Sequence, residues 1–259
     1  MPSTKFPLKL ALKYDIYQFL TIFERINLPI TMSKCDQCIV RQLNSFKTLT
    51  KSELIRISEC KTTKVIKKGE VIFKEGEHLN GVFCIKEGVC KVSKMSSNGR
   101  EQIIHLVNKG DILGERSLIS DEVANLKATA ISDMSVCYIP REEIVRDFQE
   151  NPDFTQEILK NLASMLKNAD NTIVDMGQKT VKQRLAEMLV HLDEKFGKDT
   201  DGFLDIQLSR EDMANIIGTA TESAIRLLSE FKKAGLIAIE GKKINIISAS
   251  GLNKIAKGF

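Results

Sequence analysis

The sequence has no apolar run long enough to cross a membrane and no recognisable export signal. Charged residues interrupt its apolar stretches well short of the roughly 20 residues that span a bilayer. No small-residue cleavage site follows an apolar N-terminal core, as a signal peptide would require. These absences argue against a helical membrane protein and a typical secreted protein, so we expect a cytoplasmic protein without a membrane partner.

The chain also has little excess of charge of either sign. Its 38 basic and 34 acidic residues are well mixed and give a net charge of +4, whereas non-specific nucleic-acid binders usually carry a larger basic excess. Its six cysteines, without an export signal, are expected to be free thiols or ligands rather than disulfide partners. Charge and cysteine content therefore do not identify a partner.

Signatures of catalysis are missing as well. We find no nucleophile, base and orienting group at catalytic spacing and no Gly-x-x-x-x-Gly-Lys phosphate loop. No histidine pair is spaced to hold a metal that activates water. An enzyme is therefore not expected.

What the chain does contain is a β-rich half followed by a helical half, and its 259 residues are enough for two domains. Between about 62 and 139, glycines separate short apolar stretches at intervals typical of an all-β barrel or sandwich. Asn98-Gly99 is the strongest hairpin signal there, because both residues tolerate a positive φ. After Pro140 the apolar spacing becomes helical, so the predicted fold class is α+β.

A long helix is predicted after residue 149. Its apolar residues recur every three or four positions along a narrow seam, which favours burial against a second copy of the same helix. The seam consists of Ile158, Leu162, Met165, Ala169, Thr172 and Met176. The alternative is that this face packs on the chain's own β domain.

Two short helices joined by a glycine turn are predicted near the C-terminus. Ser209 begins the first helix as its cap, with Asp212 three residues further on in the manner of a capping box. Ser209 is also a candidate DNA-contacting residue. Gly218 ends that helix before a second one over about 220–234. The arrangement is a helix-turn-helix.

The segment after the second helix predicts a strand, a turn and a strand over 236–247. Such a hairpin beside a helix-turn-helix is a wing. Lys242 and Lys243 lie at its turn, where they are placed to contact phosphate and to add affinity without sequence information.

The outward face of the second helix carries the candidate base-contacting residues, Thr221, Glu222, Ile225 and Arg226. Arg226 could donate two hydrogen bonds to guanine, Glu222 could accept one from cytosine, and Ile225 could pack on a thymine methyl group. The alternative is that Glu222 and Arg226 form only a surface salt bridge. Because a wing follows this helix, we favour DNA recognition.

The stretch 208–228 resembles the DNA-binding domain of the Crp/Fnr superfamily of bacterial regulators through the spacing of its Gly, Glu and Arg residues. The run 110–115, Gly-Asp-Ile-Leu-Gly-Glu, resembles the sensor domain of the same family, and the resemblance covers nearly everything after Met32. It implies an N-terminal β-roll of the double-stranded β-helix or jelly-roll type, a long dimerisation helix and a C-terminal winged helix that binds palindromic promoter sites. It also implies that Glu222 and Arg226 recognise a G·C pair in each half-site.

We accordingly divide the chain into an extension of 1–31 without an assigned role, a sensor domain of 32–148, a dimerisation helix of 149–177 and a DNA-binding domain of 178–259. Met32 is an alternative start of translation. The expected partners are double-stranded DNA, a second copy of the chain and RNA polymerase. The competing interpretation is a small-molecule or redox-sensing module that acts through a protein partner and keeps a vestigial helix-turn-helix; the intact recognition helix argues against it.

The candidate effector pocket contains Gly114, Glu115, Arg116 and Ser117, which match the start of the cyclic-nucleotide-binding motif in the resembling family. In that family an Arg-Ser or Arg-Thr pair then holds the cyclic phosphate, but the corresponding segment 123–126 is Val-Ala-Asn-Leu. A buried phosphate would lack its charge-assisted partner unless Arg116 replaces it. We therefore expect an effector other than cyclic AMP.

The resemblance also suggests an iron-sulfur cluster, because oxygen-sensing members similar to Fnr hold one with four cysteines. Cys35, Cys38 and Cys137 match three of those ligands, and Asn44 stands in the place of the remaining one. Four thiolates is the usual ligand set, so these three leave the site incomplete.

Other interpretations of these residues stay open. Cys60 or Cys84 could complete the cluster site, while the Cys-x-x-Cys could instead be a redox pair or half of a zinc site. The cysteines on predicted strands could simply be small apolar core residues. His78 and His105 are less favoured candidates, as heme ligands.

Overall fold

The computed structural model describes residues 34–259, so the predicted extension of 1–31 and the alternative start at Met32 lie outside the described residues. The described part opens with three short 3-10 turns, Cys35–Gln37, Ile39–Leu43 and Ser45–Thr48. They are followed by helix α1, Lys51–Cys60, which begins with a capping box.

The β-rich half forms two four-stranded antiparallel sheets. The strands are β1 Thr62–Ile66, β2 Val71–Phe73, β3 Gly81–Glu87, β4 Cys90–Met95, β5 Glu101–Val107, β6 Ile112–Leu113, β7 Lys127–Ala130 and β8 Met134–Pro140. One sheet has the order β1-β8-β3-β6 and the other β2-β7-β4-β5. Ile85, Val92 and Val136, from both sheets, share one buried core. The predicted β-roll is thereby confirmed.

The β4–β5 hairpin forms where the sequence predicted it. Gly99 turns the chain with φ 78°. Asn98 does not adopt a positive φ, and the side-chain oxygen of Asn98 instead accepts a hydrogen bond from the Arg100 N–H at 3.1 Å. This side-chain bond stabilises a wider loop than a two-residue turn would give.

Three helices connect and follow the strands of the β-roll. They are α2 Glu115–Ser120, α3 Arg141–Glu150 and the 27-residue α4 Pro152–Gln178. The Asn151 side chain accepts from the Phe154 N–H at 2.9 Å, and Pro152 occupies the first turn, which together start α4 sharply. In the described range, 34–259, no helix is long and apolar enough to cross a membrane.

The C-terminal part folds as a winged helix-turn-helix. Its elements are α5 Val181–Phe196, α6 Arg210–Ile217, α7 Thr221–Lys233, β9 Ile237–Glu240, β10 Lys243–Ile246 and α8 Ala249–Ala256. The sequence analysis did not predict α8, whose Leu252 is fully buried in the same core as Leu189 and Phe231. Ile103 and Leu106 of β5 join that core, so the β-roll packs directly on this domain.

Candidate DNA-binding surface and sensor sites

Helices α6 and α7 meet at a turn that requires glycine. Gly218 has φ 65°, and a β-carbon there would lie 3.3 Å from the Met176 sulfur of α4. The preceding helix is held by a capping box, in which the Ser209 hydroxyl donates to Asp212 at 2.6 Å and accepts from the Asp212 N–H at 2.9 Å. Ser209, predicted to lie on the DNA surface, therefore serves as a helix cap in this structure.

Helix α7 has one buried and one exposed face. The buried face, as predicted, consists of Ala224, Leu227, Leu228 and Phe231. On the other face Glu222 is exposed, Ile225 is 46 % exposed and the Arg226 side chain is 71 % exposed, while Thr221 is half-buried at the first position. The predicted base-contacting residues thus lie on the solvent-facing side of α7. The buried apolar face on the opposite side holds this helix in place.

Arg226 pairs with Glu230, at 3.3 Å, rather than with Glu222 as the sequence suggested. Both carboxylates lie one helical turn from Arg226. Pairing with Glu230 moves the cation toward the C-terminal end of α7, where the helix dipole favours positive charge. This exposed ion pair contributes little stability and can be exchanged for a base contact.

The wing turn consists of Gly241 and Lys242, which join β9 to β10. Arg210, the first residue of α6, donates to the Gly241 carbonyl oxygen at 2.8 Å and so ties the wing to the helix-turn-helix. Lys242 is exposed at the turn. The sequence analysis did not single out Arg210.

Lys243 differs from Lys242, since it is engaged within its own domain. Its ammonium group lies 3.1 Å from the Asp199 carboxylate and 5.3 Å from the centre of the Phe203 ring. The hydrogen bond to Asp199 raises the pKa of Lys243. Of the two predicted wing lysines, Lys242 is the one presented to solvent.

Arg184 joins the end of the long helix to the helix-turn-helix. Its guanidinium donates to the carbonyl oxygens of Ile217 at 2.9 Å, Met176 at 3.2 Å and Lys179 at 2.7 Å. These three carbonyls belong to the end of α6, the end of α4 and the link to α5. Arg184 therefore links the end of α4 to the turn before α7.

A second link between sensor and DNA-binding domain is ionic. The Lys91 ammonium on β4 lies 2.8 Å from Glu101 on β5 and 2.7 Å from Asp212 on α6, with each side chain about 15 % exposed. Burial opposes ionisation of Glu101, but hydrogen bonds from Lys91 and Ser93 outweigh it and lower the pKa of Glu101 to about 2. The Gln102 side chain also donates to the Ile216 carbonyl oxygen at 3.1 Å.

The structure distributes the predicted dimerisation residues over several environments. Ile158 is 2 % exposed and packs in the sensor core, with Leu162 partly buried beside it. Met165 is half-buried, Ala169 is exposed and Met176 contacts the helix-turn-helix turn.

Helix α4 presents a second apolar stripe to solvent. Leu159, Leu166 and Ile173 recur at intervals of seven residues and are 55 %, 64 % and 71 % exposed. A heptad interval is the spacing of a coiled-coil seam. The sequence did not predict this stripe, because its residues lie next to those of the predicted seam and Leu159 directly follows Ile158.

The candidate effector residues cluster at the start of α2. Gly114 has φ 92° at the helix N-terminus, Glu115 and Ser117 are half-buried and Arg116 is exposed. Burial, helped by the charge of Asp111, raises the pKa of Glu115 to about 7. Exposed Arg116 is not enclosed with the others.

In the segment 123–126, where the resembling family carries its phosphate-binding arginine, Ala124 is buried whereas Val123 and Asn125 are exposed. Ala124 is 1 % exposed, its N–H donates to the Glu77 carbonyl oxygen at 2.8 Å and its own carbonyl accepts from the Gly76 N–H at 2.7 Å. Phe73 stacks on Phe83 inside the roll, with ring centres 6.2 Å apart. The expectation of an effector other than cyclic AMP stays a prediction.

The predicted iron-sulfur ligands Cys35, Cys38 and Cys137 line one small cavity, together with Cys84. Burial raises the pKa of the Cys84 thiol to about 12 and also raises that of Cys137. Within residues 34–259, no three His, Cys, Asp or Glu side chains are already arranged as a metal site. The donor set nevertheless fits a thiolate-bound metal centre, which takes four sulfur ligands.

The two histidines considered as heme ligands lie in different surroundings. His78 is exposed at an open cleft of about 620 Å³ beside Lys64 and Tyr138, and the residues lining it do not include His105. Burial, reinforced by the charge of Lys195, lowers the pKa of His105 on β5.

Comparison with known proteins agrees with this architecture. The model of the cyclic nucleotide-binding domain matches residues 63–151, and the model of the Crp-like helix-turn-helix domain matches residues 183–255. Over 227 residues the chain is 29 % identical to the fumarate and nitrate reduction regulatory protein of Vibrio cholerae, covering 86 % of this chain and 90 % of that protein. It is also 29 % identical over 223 residues to the anaerobic regulatory protein of Haemophilus influenzae, covering 84 % and 86 %.

Solved structures of similar proteins have the same architecture. FixK2 from Bradyrhizobium japonicum is 26 % identical, with a TM-score of 0.68 over 75 % of this chain and 96 % of that one. A transcriptional regulator of the CRP/FNR family from Thermus thermophilus, 21 % identical, shares the fold with a TM-score of 0.65 over 76 % and 99 %.

Proposed function

This chain belongs to the Crp/Fnr superfamily of DNA-binding transcription regulators, and from that premise we propose which of its residues recognise DNA, form the dimer and receive the signal. We propose a sensor domain of 32–148, a dimerisation helix of 149–177 and a DNA-binding domain of 178–259. The observation that supports DNA recognition best is the solvent-facing surface of α7, which is held on a capped helix-turn-helix.

In the proposed complex α7 lies in the major groove of a double-stranded promoter site. Arg226 exchanges Glu230 for a guanine, Glu222 accepts from the paired cytosine and Ile225 contacts a thymine methyl group. Lys242 contacts phosphate from the wing, and Thr221 lies next to the backbone at the start of α7. Lys243 contributes only if it leaves Asp199, and Ser209 acts by capping α6.

The dimer proposed here is formed along α4. Leu159, Leu166 and Ile173 supply its exposed apolar seam, with Met165 and Ala169 beside it. Two-fold symmetry then places two copies of α7 on a palindrome whose half-sites lie about 34–36 Å apart. RNA polymerase is the proposed protein partner at the promoter, and the cytoplasm is the proposed location.

The cofactor proposed for the sensor is an iron-sulfur cluster held at the cysteine cavity. When bound, such a cluster supplies a redox-sensitive group whose loss or oxidation changes the local structure. The cavity has a volume of about 20 Å³, room for little more than a water molecule, so binding a cluster must move the turns that carry Cys35 and Cys38.

The third 3-10 turn, Ser45–Thr48, follows those turns in the chain and packs on the dimer helix α4. The Asn161 side chain donates to the Ser45 hydroxyl at 2.9 Å, and the rings of Phe46 and Phe154 stack with centres 6.0 Å apart. Leu159 begins the exposed stripe between these two contacts. A movement at the cysteines therefore biases the position of α4, and through Arg184 the turn before α7.

The DNA assignment is tested by selecting binding sites from a randomised duplex pool with the full-length chain, then comparing wild type with Arg226→Lys. The lysine keeps the positive charge but cannot form two parallel bonds to guanine. We expect Arg226→Lys to lose about 1–3 kcal/mol of discrimination at one base pair of each half-site. Equal discrimination by both proteins would contradict the proposed role of Arg226.

A further inference from the structure

Four of the six cysteines line a single cavity of the sensor domain. Cys35 begins the first 3-10 turn, Cys38 lies between the first and second turns, Cys84 lies on β3 and Cys137 on β8. Cys84 and Cys137 are direct partners in the antiparallel β3–β8 register. Direct partners have β-carbons about 4.5–5.5 Å apart on the same face of a sheet. The sheet thus supplies two thiols and the turns supply two more.

The turn that begins at Cys35 is held against helix α1 and the buried cluster. The Cys35 N–H donates to the Ser58 hydroxyl of α1 at 2.6 Å. Both Cys35 and Cys38 pack against the buried cluster that contains Cys84 and Cys137. The packing of α1 and its preceding turns on the β3–β8 pair therefore places all four cysteines around one cavity.

Asn44 stands where the resembling family has its remaining cysteine ligand, and its side chain contacts Cys84. Its side chain is buried and donates to the Cys84 sulfur at 3.4 Å and to the Gly110 carbonyl oxygen at 3.0 Å. Its own side-chain oxygen accepts from the Phe46 N–H at 3.0 Å. Position 44 is where the resemblance places a ligand cysteine, so the thiol at 84 lies next to the position at which a thiol is missing.

The charges around the cavity suit an anionic centre. Arg41, Lys61 and Lys86 also line it. A cluster with four thiolate ligands carries net negative charge, which nearby cations stabilise in a partly buried setting.

The other two cysteines do not reach the cavity. Cys60 is exposed, and its thiol contacts the Glu143 carboxylate at 3.8 Å. Cys90 is fully buried in the separate core between the two sheets. These two cysteines provide matched controls for any cysteine substitution.

We propose that Cys84 is the fourth thiolate ligand of the cluster, beside Cys35, Cys38 and Cys137, and that Asn44 positions Cys84 and donates a hydrogen bond to its sulfur. Each thiol releases its proton to solvent as it binds iron. The inference rests on the sensor role proposed above. Hydrogen bonds to ligand sulfurs are one of the factors that set a cluster's reduction potential, so Asn44 acts on the potential rather than on ligation itself.

The test uses the full-length chain, purified without oxygen and reconstituted with ferrous iron and sulfide. Bound iron, acid-labile sulfide and visible absorption are measured for wild type and for Cys84→Ser, Cys84→Ala, Cys60→Ser and Cys90→Ser. We expect both Cys84 variants to lose most of the bound iron and sulfide, whereas the Cys60 and Cys90 variants retain the wild-type content. Circular dichroism of the metal-free variants establishes that they are folded.

The outcomes separate the two proposals. Wild-type iron and sulfide content in the Cys84 variants would overturn the assignment of Cys84 and leave the sensor role standing. A wild-type protein that binds no iron and sulfide, or only zinc, would overturn both.

Asn44→Asp tests the positioning residue, with circular dichroism to establish that the variant is folded. The substitution keeps the oxygen that accepts from the Phe46 N–H and removes the donors to the Cys84 sulfur and to the Gly110 carbonyl oxygen. We expect a lower reduction potential at unchanged iron content, because a hydrogen bond to sulfur is lost and a negative charge is added. The neutral variant Asn44→Ser separates these two effects, and an unchanged potential in both variants would overturn the role of Asn44.

Discussion

The recognition helix and the thiol-lined cavity place their functional groups in opposite environments. On α7 the proposed DNA-contacting side chains, such as Arg226, are exposed, and the apolar face behind them holds the fold. In the cavity the functional groups belong to the core itself, with Cys84 6 % and Cys137 5 % exposed. The proposed cluster would therefore rearrange the packing around the cavity, whereas the proposed DNA contacts of α7 can form without disturbing the core.

The largest effect is expected when the two faces of α7 are compared directly. Phe231→Ala empties a site that is 1 % exposed, and we expect it to lower the free energy of unfolding by about 3–5 kcal/mol. Ile225→Ala, on the exposed face of the same helix, should change it by less than about 0.5 kcal/mol. Chemical denaturation of both variants measures the difference.

The same pair of variants separates stability from recognition. At a temperature where both are folded, Ile225→Ala should weaken binding to the selected duplex although its stability is unchanged. Similar losses of stability in the two variants would show that the exposed face also holds the fold.

An intermediate effect is expected at the ionic contact between the two domains. Lys91→Met leaves Glu101 and Asp212 without their shared cation, and we expect a loss of about 1–3 kcal/mol. Lys94→Met, on the same strand, removes an ion pair to Glu75 whose side chains are over 40 % exposed, and should cost less than about 1 kcal/mol. Equal losses of stability in the two variants would mean that the ionic contact between the domains contributes no more than an exposed ion pair.

This contact also predicts a dependence on pH. The pKa of Glu101 is lowered from 4.5 to about 2, so the folded state keeps the carboxylate ionised where the unfolded chain is already protonated. The stabilisation is therefore complete above about pH 4.5 and is lost as the pH falls toward 2. Denaturation across this range should show a smaller pH dependence in Glu101→Gln than in wild type.

The smallest effect is expected at the wing. Lys242→Ala should weaken binding to all duplexes alike and reduce the slope of log affinity against log salt concentration by about 1. Lys243→Ala is the matched control, because Lys243 is engaged with Asp199, and it should change the slope less. A loss of sequence preference in Lys242→Ala would contradict a phosphate contact.

The helix-turn-helix and the thiol cavity also differ in how much of their structure the sequence predicted. The helix-turn-helix depends on local signals, and Ser209, Gly218 and the apolar residues of α7 all lie where their spacing placed them. The pairing of Arg226 with Glu230 was not predicted, since two carboxylates lie at the same helical spacing from it. Helix α8 was missed because it is short and lies beyond the wing.

The cavity and the dimer seam depend on contacts between distant parts of the chain. Alternation along a strand cannot show that β3 pairs with β8, so the sequence offered Cys60 and Cys84 as equal candidates, whereas the register brings Cys84 beside Cys137. On α4, one apolar stripe is buried on the sensor and another, one residue further along, faces solvent. Periodicity predicted the helix, but the faces could be told apart only once the sensor was packed against it.

The proposed control of the DNA surface by the thiol cavity is tested most directly by an affinity measurement. The dissociation constant of the full-length chain for its selected duplex is measured without oxygen, with the cluster loaded and after its removal. The account predicts a change in the dissociation constant of about 5- to 150-fold for wild type and for Cys90→Ser, and no change for Cys84→Ser. Equal affinities of loaded and cluster-free wild-type protein would contradict it.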